Sequence, residues 1–112
     1  MDITFRNSKL AKILCEQKRL EKEYGQEMAK VIRQRLDDLD SAACLADFKD
    51  LPGDCHELKG DRKGTISLDL RKQFRLLFKP SGDNPPRLPD GGLDRRRIDA
   101  VEIIGVEDTH GK

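Results

Sequence analysis

The chain has 112 residues, with 22 Lys and Arg against 21 Asp and Glu, 36% hydrophobic residues and no Trp. That length fits one domain, 1–112, whose small core must rest on Leu, Ile and Val. The near-zero net charge excludes bulk electrostatics as a case for nucleic-acid binding. No apolar run approaches the roughly 18 residues of a membrane span. Residues 1–6 are too polar for a signal peptide, and Cys15, Cys44 and Cys55 form no C-x-x-C pair. A soluble, cytoplasmic protein in a reducing compartment is expected, with no membrane partner.

Ile3 to Phe5 reads as a first strand, and Asn7 or Ser8 as the cap of a helix over 7–24, because a side-chain oxygen accepts from free first-turn amides. Leu10, Ile13, Leu14, Leu20 and Tyr24 recur at near-helical spacing, and Gly25 suits the left-handed position that ends a helix. Met28, Ile32, Leu36 and Leu39 then define a second helix over 26–41, so the two form an antiparallel helical hairpin with charged outer faces. Ser41 to Phe48 adds a short helical turn, and Leu51-Pro52-Gly53-Asp54 is a turn signal.

Past residue 55 the apolar period changes from helical to alternating. Ile66, Leu68 and Leu70 share one face of a strand over 65–70, with Thr65, Ser67 and Asp69 on the other. In a strand over 74–79, Phe74, Leu76 and Phe78 share a face, opposite Arg75, Leu77 and Lys79; Arg71-Lys72-Gln73 connects the two. Val101 to Val106 is a further strand-length apolar run. Between them, Pro80 to Arg97 holds four of the five prolines and three glycines, which predicts a long exposed loop ending in Arg95-Arg96-Arg97, where RNA contact is conceivable. The expected fold is α+β, a helical hairpin packed on a small antiparallel sheet.

Basic charge is concentrated locally. Residues 56–79 hold seven Lys or Arg and three Asp or Glu. In His56-Glu57-Leu58-Lys59-Gly60-Asp61-Arg62-Lys63-Gly64, two glycines bracket a charged turn feeding a strand. Glycine lets backbone approach a phosphate, and Lys59, Arg62 and Lys63 would meet its charge. Arg71, Lys72, Arg75 and Lys79 extend this basic stretch along the hairpin as RNA-binding candidates. The two histidines, His56 and His110, flank the strands at opposite ends and suit proton transfer near neutral pH. Neither metal-ligand spacing nor a Gly-rich nucleotide motif is present, so no metal and no cofactor are expected.

The string H-E-L-K-G-D-R-K-G, the hairpin L-D-L-R-K-Q-F-R-L-L-F and the closing E-D-T-H resemble the HigB toxins of the RelE/ParE-like superfamily. The similarity covers His56 to Phe78 and resumes over Val101 to His110; the N-terminal helices agree only in type and order. It implies a RelE-like fold and a metal-independent endoribonuclease, a toxin–antitoxin toxin that cleaves mRNA on the ribosome and inhibits translation. It further implies a helix-turn-helix antitoxin of the HigA type, through which operator DNA is bound indirectly. By position, His56, Lys59, Arg75, Asp108 and His110 match the family's active-site residues. Thr109 stands where the family has an aromatic able to stack on a base, Thr65 and Ile66 replace aromatics after the second glycine, and the 80–97 loop is longer. A rival reading on the same fold is a catalytically weak protein acting by binding, in antitoxin-linked repression or on a topoisomerase.

RNA cleavage is chemically self-sufficient here. A 2′-hydroxyl attacks its own phosphate if a base takes its proton, an acid serves the leaving 5′-oxygen and cations meet the added charge. His and Asp suit the proton transfers, and Lys59 and Arg75 the charge.

Overall fold

A computed structural model describes residues 1–109. Among these, three α-helices pack on a mixed five-stranded sheet, an α+β arrangement. In chain order the elements are β1 (Asp2–Phe5), α1 (Ser8–Cys15), α2 (Gln17–Tyr24), α3 (Gln26–Ser41), β2 (His56–Glu57), β3 (Ile66–Asp69), β4 (Phe74–Pro80) and β5 (Ala100–Asp108). Short 3₁₀ turns cover Leu45–Asp50, Gly60–Arg62 and Arg95–Arg97. No helix is long and apolar enough to cross a membrane among the described residues.

Asn7 caps α1 as expected: its Oδ1 accepts from the Leu10 amide at 2.8 Å. The single helix expected over 7–24 is instead two, interrupted at Glu16, whose backbone is extended (φ −97°, ψ 116°). No Gly or Pro marks this break. Leu14 and Leu20, on either side of it, are both fully buried, so tertiary packing overrides a helical pattern that is locally continuous. Gly25, at φ +86°, joins α2 to α3; its amide closes α2 on the Glu21 carbonyl and its own carbonyl accepts from Ala29. The buried stripe of α3 is Met28, Ala29, Ile32, Leu36 and Leu39, which contains the four positions expected from the spacing.

The strand order is β1-β5-β4-β3-β2. The hairpins β2–β3, β3–β4 and β4–β5 are antiparallel, but β1 runs parallel to β5, which corrects the expectation of a purely antiparallel sheet. Almost the whole chain separates β1 from β5, and a connection that long imposes no antiparallel geometry. Ile66, Leu68, Leu76, Phe78, Val101 and Ile103 face the helices and join their buried residues in one core, with Leu45, Phe48, Leu93 and Ile98 closing one end. Each such aliphatic or aromatic side chain contributes about 1.5–3 kcal/mol by leaving water.

Two local features fix the edges. Gly53 has φ +115°, and a Cβ there would lie 2.6 Å from Leu68 Cδ1, so only glycine fits this turn against the core. Between β4 and β5 the register slips by one residue: Leu77 lies opposite Gly105 but Phe78 opposite Ile103, leaving Ile104 as a β-bulge.

The 80–97 segment is not the unpacked loop its composition suggested. Arg87 and Leu93 form a bridge, the Asp94 amide bonds the Pro86 carbonyl, and Leu93 is buried. The prolines and glycines shape a tight ordered hairpin that still delivers an apolar side chain to the core.

Candidate nucleic-acid interface

Strand alternation sends every second residue of β3, β4 and β5 to the face away from the helices. Cross-strand register then sets three rows there: Asp69, Arg75 and Glu107; His56, Ser67, Leu77 and Gly105; and Lys79 with Glu102 and Thr4. Ser67 and Leu77, in the middle of this row, are buried although neither belongs to the helix-packed cluster.

The outer row carries the strongest electrostatic feature. Arg75 donates from Nε to Glu107 Oε1 at 2.9 Å, and its Nη2 lies 2.7 Å from the same oxygen. Arg62, in the turn before β3, reaches the same carboxylate, with Nη2 3.1 Å from Oε2 and 3.2 Å from Oε1. Two guanidiniums from separate elements thus share one carboxylate. Burial by itself would raise the Glu107 pKa, but the hydrogen bonds and charges of Arg75 and Arg62 outweigh it and hold the carboxyl below its ordinary value. Lys79 adds a looser pair with Glu102 at 3.6 Å.

His56 stands on β2 in the row of Ser67. Its Nδ1 lies 2.8 Å from the Asp54 carbonyl oxygen and 3.7 Å from an Asp54 carboxylate oxygen. A carbonyl only accepts, so Nδ1 carries a proton and the lone pair of neutral His56 sits on Nε2. Two strand spacings and two residues separate His56 from Arg75, about 12 Å between Cα atoms by ideal sheet dimensions. Long side chains from these positions can reach a common ligand.

The remaining sequence candidates divide. Lys59 and Lys63 are exposed on the turn that carries Arg62. Arg71, expected on the RNA-binding surface, instead pairs with Glu27 at the start of α3, and Lys72 lines the same cleft with Tyr24 and Met28. The hairpin tip bends toward the helices, so both leave the surface that holds Arg75. Asp108 is registered with Phe74, a residue that packs against the core; its alternation is therefore opposite to that of Glu107 and Arg75. Thr109, at the position of the family's aromatic, donates from Oγ1 to the Gln73 carbonyl at 2.6 Å and ties down the strand end. His110 lies outside the described residues. Of the terminal arginines, Arg95 donates to the Cys55 carbonyl at 3.1 Å, while Arg96 and Arg97 are exposed.

Three residues here escaped sequence reasoning. Glu107 is one; Glu57 and Arg87 are the others. Arg87 Nη2 lies 3.0 Å from Glu57 Oε2, which also accepts from the Gly64 amide at 2.8 Å. Burial raises the Glu57 pKa, but hydrogen bonds from Arg87 and Gly64, with the charges of Arg87 and Lys63, lower it more. Strand parity offered a partial signal for Glu107; nothing local pointed to Glu57 with Arg87. Burial, only partly opposed by Arg95, pushes the Cys55 thiol up to about 11, which keeps it protonated at neutral pH.

No protein-family model matches the chain, and no curated protein matches it.

Proposed function

We propose that this chain is a RelE-like, HigB-type toxin of a cytoplasmic toxin–antitoxin pair, an endoribonuclease that cuts mRNA on the ribosome. The observation that carries the reading is the convergence of Arg62 and Arg75 on the sheet face away from the helices, in the neighbourhood of His56. A phosphodiester shares one negative charge over two non-bridging oxygens, which suit paired guanidiniums. Neutral His56, with Nε2 as acceptor, takes the 2′-hydroxyl proton. The 2′-oxygen attacks phosphorus, the bond to the 5′-oxygen breaks, and that oxygen leaves with a proton from an acid. The products are a 2′,3′-cyclic phosphate end and a 5′-hydroxyl end. Arg62 and Arg75 stabilise the charge that grows on the phosphoryl oxygens. Lys59, Lys63 and Lys79 guide the flanking backbone. Asp108 and His110 enter through the resemblance alone, as does the HigA-type antitoxin that neutralises the toxin and links it to operator DNA. Primer extension on ribosome-bound mRNA after brief induction tests the activity. Discrete new 5′ ends are expected, and uncut transcripts in a growth-arrested culture would sink it.

One observation favours a second reading, that of a protein which binds without cutting. By register, the Asp108 carboxylate belongs to the opposite face from Arg75, which separates two of the residues that the resemblance assigns to one active site. RNA binding with no new 5′ ends is the outcome expected on that reading.

A further inference from the structure

Resting on the reading that this face takes RNA, we propose that Glu107 is a built-in occupant of the phosphate site: its carboxylate sits on Arg62 and Arg75 where an RNA phosphate binds, and the phosphate displaces it. Arg75 Nε and Nη2 both address Glu107 Oε1, at 2.9 and 2.7 Å, while Arg62 Nη2 lies within 3.2 Å of both carboxylate oxygens. A carboxylate and a phosphodiester are both monoanions offering two oxygens to such a fork. With Glu107 seated, two positive charges face one negative charge, so the cluster still attracts an anion.

The arrangement also permits release. The Glu107 side chain is 32% exposed, one residue before the last of β5, and can rotate into water without moving the strand. Asp69, registered opposite Arg75 on the other neighbouring strand, makes no ion pair with it, so that carboxylate does not retain Arg75 when Glu107 leaves. The junction of Glu57 with Arg87 differs, because there a single guanidinium and one backbone amide bond the carboxylate, and Lys63 acts on it only through its charge. Glu107 therefore lowers affinity for every phosphate ligand. It also holds the two guanidiniums in place, so that binding exchanges one anion for another and does not organise two loose arginines.

The test uses a short 2′-O-methyl RNA oligonucleotide, which cannot be cut, read by fluorescence anisotropy on the whole chain. Glu107→Gln should bind it about tenfold more tightly than the wild type, the equivalent of about 1.4 kcal/mol, and Arg75→Ala added to Glu107→Gln should cancel the gain. Equal or weaker binding by a Glu107→Gln protein that melts cooperatively overturns the proposal. If that variant does not fold, the Arg75 Nε–H resonance of the wild type gives the answer. It should move as RNA saturates the protein, and an unchanged resonance overturns the proposal. Because this RNA is uncleavable, tighter binding by Glu107→Gln alongside uncut mRNA on ribosomes would refute the nuclease and uphold the displacement. Cleavage by the wild type with no gain from Glu107→Gln would do the reverse.

Discussion

Glu57 and Glu107 are both glutamates at strand ends, both bound by arginine and both held below the ordinary carboxyl pKa, yet they make different kinds of junction. Glu57 is the more enclosed, with 18% of its side chain exposed against 32% for Glu107. Its partners, Arg87 and the Gly64 amide, clamp the 80–97 hairpin and the 58–64 turn onto the edge of the sheet. Glu107 bonds two guanidiniums and is the more exposed of the two carboxylates. On the proposed reading, the number of guanidiniums bonded to the carboxylate, more than the chemistry of the pair, separates a structural clamp from a binding site. A balanced pair is finished, whereas an unbalanced one has capacity left.

The largest expected break in this comparison is Arg75→Ala. Loss of one preorganised donor to a phosphoryl group costs about 10²–10³ in rate, or roughly 3–4 kcal/mol at the transition state. Glu107 keeps Arg62, so folding stability should fall by about 1 kcal/mol or less. Ribosomal cleavage and urea unfolding on one purified preparation separate the two quantities; a large stability loss with cleavage per folded molecule intact would make Arg75 a second clamp.

Arg87→Ala should behave in the opposite way. It strips a mostly enclosed carboxylate of its charged donor and also removes the 2.7 Å bond to the Gly91 carbonyl, at a cost of about 2 kcal/mol in urea unfolding. RNA affinity of the folded variant should stay at the wild-type value. A change there would join the two junctions into one site.

Acid should affect both junctions. A carboxyl with a depressed folded-state pKa adds stability that is present above its unfolded value, near 4.5, and is lost as pH falls through the folded value. Unfolding free energy should therefore fall below about pH 4.5. Arg87→Ala, by relieving the depression at Glu57, should shallow that decline, and an unchanged acid slope would remove Glu57 from the account.

The smallest effect is expected at Lys79, paired loosely with Glu102. Lys79→Ala should weaken RNA binding a few-fold and lower the salt slope by about 0.7, the value for one phosphate contact on a single strand. An unaltered slope would place Lys79 outside the RNA path.

Much of this architecture was legible because it is local. The period change near residue 55, the stripe from Met28 to Leu39, the alternation through Phe74, Leu76 and Phe78 and the Asn7 cap all depend on residues a few positions apart. What was hidden depends on distant partners. Arg62 and Glu107 are 45 residues apart, Arg87 and Glu57 30, and no pattern in either segment encodes the meeting. Proline and glycine in 80–97 signalled turns correctly but not the burial of Leu93 between them. The parallel course of β1 and the break at Glu16 are likewise decisions of the assembled core. Of the basic candidates, Arg75 was placed by strand parity alone. Arg71 could not be, because it sits in a turn where alternation no longer applies.

The extra residue at Ile104 works as a phase shifter. Lys79 and Arg75 are four positions apart, but their partners Glu102 and Glu107 are five apart, and the two counts agree in face only because one residue of β5 is left unpaired. The bulge thus decides through the backbone which residue of β5 stands opposite Arg75. Pairing Ile104 regularly with Leu77 would set Val106 opposite Arg75 and turn Glu107 to the helix side of the sheet. Whether an acid or a valine stands beside the cations is, in this strand, written as one unpaired residue.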